Sequence, residues 1–207
     1  MTYILYLNGL GTGKPRKREQ IAMRYVVRYF KRHDMTITHI PINWFSQESF
    51  DRLYQDTVQT VRAHCKKHDR VVLVGVSAGG SLAVNVMSQL HDPKLSVVTV
   101  CSPLRITTLP WWDKRNLAYL AKLGTSKPSQ RLFDSVTCCN NTAIPNLTMQ
   151  DKQRIITVRQ WMDQIVPKST MTVPGIRTYR VPGIGHIFGI IAGALKLPAI
   201  LKETRLL

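Results

Sequence analysis

Acidic residues are scarce in this 207-residue chain: 12 Asp and Glu stand against 29 Lys and Arg, a formal net charge of +17. Such a balance favours encounter with anionic partners, whether nucleic acid, acidic membrane surfaces or acidic substrates, and carries no information about fold. Cysteine is sparse too. Cys65, Cys101, Cys138 and Cys139 are a poor disulfide framework for a chain this size, and none shows the C-x-x-C spacing of a zinc site. No apolar run reaches the roughly 18 residues of a membrane span, because the longest, residues 187–201, contains Lys196 and Pro198. The apolar run at 2–7 is too short for the core of a signal peptide and has no cationic segment before it. A cytoplasmic location is therefore expected. No zinc finger or aromatic RNA-binding motif is present, so no specific nucleic-acid partner is expected.

What remains is ordinary for a globular protein. Hydrophobic residues make up 44% and charged residues 20%, in one domain, 1–207, long enough to bury a core without staples. Six short β-type runs, at 3–7, 36–42, 70–76, 95–101, 154–158 and 176–181, alternate with helical patterns at 16–32, 49–67, 78–90 and beyond 187. Runs such as VVLVGV are continuously apolar and β-branched, as strands buried on both faces of a parallel sheet require. The alternation predicts an α/β fold, a three-layer α/β/α sandwich around a mostly parallel six-stranded sheet.

Residues 103–152 interrupt the alternation between the fourth and fifth strands. Asn116–Leu123 reads as a short helix, and Pro, Ser, Thr and Asn dominate after it. A connection this long predicts a lid-like insertion. Its Leu109, Trp111, Trp112, Leu117, Tyr119 and Leu120 suit either the roof of an acyl pocket or the small core of a cap.

The strongest local signal is VVLVGVSAGGSLAV at 71–84. Gly75-Val76-Ser77-Ala78-Gly79 fits G-x-S-x-G between a buried strand and a helix, the context in which a serine is presented on a tight turn above the sheet. A nucleophilic serine needs a base, and the base needs an orienting acid. Asp163 follows the fifth strand and His186 follows the sixth, so the chain order is Ser77, Asp163, His186. At the carboxyl edge of a parallel sheet these distant residues can converge. Asp134 and Asp151 are fallback acids, and the remaining histidines fall in segments away from that edge.

With GVSAGG after the third strand, WMDQIVP after the fifth, GIGH after the sixth and N-G-L-G after the first, the chain resembles a small member of the α/β-hydrolase superfamily over nearly its whole length. The resemblance implies acyl transfer through an acyl-enzyme on Ser77, with His186 as general base, Asp163 as orienting acid and no cofactor or metal. It also implies a carboxylic ester substrate, lipid-like or of short acyl chain, with thioester and amide left open. One departure stands out: the family often has His-Gly after its first strand, and here the pair is Asn8-Gly9.

That resemblance bears on LYLNGLGTGKPRKR at 5–18. A P-loop fails here because Asn8 replaces its first glycine and Pro15 its closing hydroxyl residue; a dinucleotide fingerprint fails because its third glycine would fall on Lys14 or Arg16. The remaining reading is an oxyanion loop in which the Leu10 N–H joins the Ala78 N–H. The basic run Lys14, Arg16, Lys17 and Arg18 reads as a solvated charge run or as an anion site at the mouth of the active site. The alternative to catalysis is a hydrolase fold used to bind an anionic partner. Nothing in the sequence fixes the oligomeric state.

Overall fold

The computed structural model describes residues 2–11, 27–106 and 130–204. Six strands, β1 (Thr2–Leu7), β2 (Met35–Ile40), β3 (Val71–Val76), β4 (Leu95–Val100), β5 (Ile155–Met162) and β6 (Arg177–Ile184), form one sheet in the order β2-β1-β3-β4-β5-β6. Every neighbouring pair is parallel. The central strands β3 and β4 are buried at every position, as their near-continuous apolar runs demand. The outer strands β2 and β6 keep partly exposed patterns suited to sheet edges.

Alternation along the strands divides the core in two. Leu5, Leu73 and Val97 point to the face covered by α1 (Phe50–Lys67), α2 (Ala78–Leu90) and α3 (Gln130–Cys138). Ile4, Val72 and Val98 point to the face covered by the helical residues 27–31 and by a long final helix over His186–Glu203. Burying each such side chain contributes roughly 1.5–3 kcal/mol. Helix α1 begins where the sequence provides a cap: the Ser49 hydroxyl accepts the Arg52 N–H at 3.3 Å.

The connection from β4 to β5 is only partly what the composition suggests. From residue 130 onward it belongs to the helical layer rather than standing above the sheet. Leu132, Val136, Cys139 and Ala143 enter the core at helical spacing, through α3 and the π-helical turn Cys139–Ala143 that continues it. Ser135 and Ser81 share a buried 2.8 Å hydrogen bond, and Asn85 Nδ2 donates to the Ser135 carbonyl. The short helix α4 (Met149–Gln153) closes the connection. The predicted helix at 116–123 and the residues Leu109, Trp111, Trp112, Leu117, Tyr119 and Leu120 lie outside the described residues, as does the basic run at 14–18. Between β5 and β6 sits α5 (Lys168–Met171), and the final helix is α6. Among the described residues no helix is long and apolar enough to cross a membrane.

Candidate active site

From β1 the chain moves outward to β2, then returns past β1 to build β3 through β6 in the other direction. That reversal opens a crevice beyond the carboxyl ends of β1 and β3, where open α/β sheets place their ligands. Gly9 and Ser77 meet there: a Cβ built on Gly9 would stand 3.2 Å from the Ser77 Cβ. Ser77 itself has φ +50° and ψ −116°, and its N–H donates to the Val100 carbonyl at 2.8 Å. A non-glycine residue in this region stores about 1–3 kcal/mol of strain, held by the packing around it. The packing is close because its neighbours lack side chains. A Cβ on Gly75 would collide with the backbone of Gly79, and one on Gly79 would fall 2.7 Å from the Leu7 carbonyl oxygen.

His186 and Asp163 close on this serine from the ends of β6 and β5. His186 Nε2 lies 2.9 Å from Ser77 Oγ, and Nδ1 lies 2.8 Å from Asp163 Oδ2. The other carboxylate oxygen accepts the N–H groups of Ile165 and Val166 at 2.8 and 2.9 Å, a turn closed by the aspartate on its own following backbone. The carboxylate is acceptor-only when ionised, so the hydrogen between it and the ring belongs to Nδ1, leaving Nε2 to accept the serine O–H. Both side chains are buried. The three residues named from the sequence thus form one hydrogen-bonded series.

No protein-family model and no curated protein matches the sequence. Solved structures do match. A monoacylglycerol lipase from Paleococcus ferrophilus superposes with a TM-score of 0.62 at 12% identity, covering 98% of this chain and 94% of that one. A bromoperoxidase from Bacillus anthracis gives 0.59 at 16% identity over 98% and 91%. A 2-hydroxy-6-oxo-6-phenylhexa-2,4-dienoate hydrolase from Rhodococcus gives 0.61 at 11% identity over 99% and 90%. The chain has the α/β-hydrolase fold.

Within that α/β-hydrolase fold, the loop after β1 is braced by a set of residues that sequence reasoning passed over. Asn8 Oδ1 accepts the Ile42 N–H at 2.7 Å, and Asn8 Nδ2 donates to the Ile42 carbonyl at 3.0 Å, so one side-chain amide imitates a strand pairing. His39 Nε2 donates to the same Oδ1 at 3.2 Å, and burial lowers the pKa of this histidine. Trp44 donates its ring N–H to the Asn8 carbonyl and its backbone N–H to the Gly11 carbonyl. His39 is therefore close to the site, although its sequence position places it in an edge strand. The Leu10 N–H follows directly on the braced residues. Ala78 opens α2, where helix geometry offers its N–H no carbonyl.

The fallback acids are engaged elsewhere. Asp134 accepts from Gln130 on the exposed side of α3. Asp151 is buried among Thr148, His91 and Arg154. Beneath the site, Cys101 Sγ donates to Gln160 Oε1 at 2.6 Å. Burial, with Asp163 nearby, pushes its thiol up to about 12, so it is no competing nucleophile. Burial also raises the thiols of Cys138 and Cys139, and all four cysteines are free.

Proposed function

We propose that the protein is a serine hydrolase acting on carboxylic esters. The observation that carries this reading is the continuous hydrogen-bonded series from Ser77 Oγ through His186 to Asp163, beginning on a strained turn at the sheet's crevice. Ser77 Oγ attacks the ester carbonyl carbon while His186 Nε2 takes the hydroxyl proton. The carbonyl oxygen becomes an oxyanion held by the N–H groups of Leu10 and Ala78, in the field of the α2 N-terminus. Collapse expels the alkoxide, which leaves as an alcohol carrying the proton from His186. Water then attacks the acyl-enzyme, again giving its proton to His186, and the carboxylic acid departs with Ser77 restored. Asp163 stays ionised throughout, fixing the ring tautomer and stabilising the imidazolium.

The structural neighbours carry the names of a lipase, a bromoperoxidase and a dienoate hydrolase, so the shared fold does not choose the substrate. The ester reading rests on the local residues. Its test is a series of p-nitrophenyl esters of increasing acyl length, assayed with the native protein and with Ser77→Ala. Turnover that disappears in a folded Ser77→Ala variant supports it, and turnover that persists there rejects it.

A further inference from the structure

Helix α6 begins with His186, and its own sequence supplies no side-chain cap. The N-cap residue is Gly185, at φ +102°, which has no side chain to offer the first turn. The caps come instead from the end of β5. Gln164 Oε1 accepts the His186 N–H at 3.2 Å, and the Met162 carbonyl accepts the Gly185 N–H at 3.0 Å. Between these two residues stands Asp163, which accepts from the His186 ring. Three consecutive residues thus hold the ring, its backbone N–H and the N–H before it.

A further contact lies one turn into the helix. The buried stripe of α6 includes His186, Gly189, Gly193 and Leu197, at i, i+3, i+7 and i+11, so His186 heads the face that packs on the sheet. Gly189 meets Gln160, which points to the α6 face as Val158 does two residues earlier. A Cβ on Gly189 would collide with the Gln160 side-chain amide and stand 2.9 Å from Cys101 Sγ. Gln160 is only 2% exposed, and its Oε1 accepts the Cys101 thiol at 2.6 Å, so the amide cannot swing clear without giving up that bond. Its Nε2 is buried without a partner. An amide buried at this cost is not there to fill the core, which an apolar side chain would do better. What it supplies is a fixed, flat support that only a residue lacking Cβ can approach so closely.

We propose that Gln160 and Gln164 are positioning residues for the general base. Gln164 fixes where α6 starts, and Gln160, beneath Gly189, fixes its height above the sheet. The strand and loop that carry the acid thereby carry the base as well. Both glutamines act through His186, whose Nε2 must stay within hydrogen-bond reach of Ser77 Oγ. A displacement of about 1 Å costs on the order of 10² in rate. The proposal deepens the ester-hydrolase reading and rests on it for the turnover measurements. The His186–Asp163 hydrogen bond is observable without turnover, so the two readings fail separately.

The test measures kcat and KM for p-nitrophenyl acetate together with the low-field proton resonance of the His186 Nδ1–H. It uses the native protein, Gly189→Ala, Gln160→Ala, the double variant Gly189→Ala/Gln160→Ala, Gln164→Ala and Gln164→Glu. Gly189→Ala should lower kcat about 100-fold with KM unchanged, and should lose the resonance. Removing the Gln160 amide makes room for the new methyl group. The double variant should therefore recover kcat to within about threefold of Gln160→Ala alone, and regain the resonance. Gln164 is exposed, so Gln164→Ala leaves the core intact; it should lower kcat about tenfold. Gln164→Glu keeps an acceptor at the α6 N-terminus and should stay near the native kcat. Native kcat in Gly189→Ala, or a double variant no better than Gly189→Ala, would overturn the role of Gln160. Equal kcat in the two Gln164 variants would overturn that of Gln164, and this pair decides the proposal if Gly189→Ala does not fold. A native protein that turns over no ester would reject the ester reading instead. The resonance then decides, and its persistence in Gly189→Ala and Gln164→Ala would overturn both positioning roles.

Discussion

Both oxygens of Asp163 are committed, one to His186 Nδ1 at 2.8 Å and the other to the backbone N–H groups of Ile165 and Val166. The acid therefore sets the ring's direction and its own direction at once. Asp163→Asn keeps the amide carbonyl available for the two N–H groups but turns an NH₂ donor toward the histidine, which then presents Nε2–H to Ser77. The expected result is a loss of about 10⁴ in kcat with a near-native melting transition, read by ester hydrolysis and thermal denaturation. A variant retaining a tenth of native kcat would remove Asp163 from the role assigned to it.

The strain at Ser77 separates stability from function. At φ +50° an alanine is held in the same unfavourable region as the serine, whereas a glycine is not. Ser77→Gly and Ser77→Ala should both lack hydrolysis, but Ser77→Gly should be the more stable of the two by about 1 kcal/mol or more in urea unfolding. Equal stabilities would mean that the turn is not strained.

The Asn8 amide holds the loop after β1 through both polar groups of Ile42. Asn8→Ala would leave those groups unpaired at a cost of about 1–3 kcal/mol. It would also loosen the Leu10 N–H that the mechanism aims at the oxyanion. Losing such a donor costs about 10²–10³ in kcat, and the fall is expected in kcat rather than in KM. A fall confined to KM would show that the loop contacts substrate in the ground state instead.

Acid sensitivity is expected from the opposite end of the sheet. Burial alone would raise Asp151, but hydrogen bonds from the Thr148 side chain, His91 and the Thr148 backbone outweigh it and hold the carboxyl below its ordinary value. A carboxyl depressed in the folded state stabilises the protein above its unfolded pKa, near 4, and that contribution is lost as the pH falls through the folded value. Native stability should therefore decline below roughly pH 4, and Asp151→Asn should be less stable at neutral pH with a flatter acid limb. Parallel acid limbs for the two proteins would contradict this.

Much of this architecture was legible in local sequence. The central strands β3 and β4 announce themselves because they are buried on both faces and therefore continuously apolar. Ser77, Asp163 and His186 each end a strand, so a parallel sheet is enough to bring them to one edge. The brace around Asn8 was not legible, because nothing local says that residue 8 will meet residues 39, 42 and 44 across the sheet edge. The helix at 130–138 was hidden for another reason: its apolar positions are diluted by Gln, Arg, Asp, Ser and Thr, and only Ser81 and Asn85 on α2 show why Ser135 is tolerated in the core. The exposure of Trp161, and of Ile187, Ile191 and Leu195 on α6, was invisible for a third. An apolar stripe in a sequence reads as core until the fold shows its residues exposed among the described ones.

The most direct measurement is the reaction of the purified protein with a fluorophosphonate, followed by intact mass and peptide mapping, with heat-denatured protein and Ser77→Ala as controls. One adduct is expected, on Ser77, in the folded native protein alone. An adduct that survives heat denaturation or the Ser77→Ala substitution, or a folded native protein that forms none, would contradict the claim that His186 and Asp163 make this serine a nucleophile.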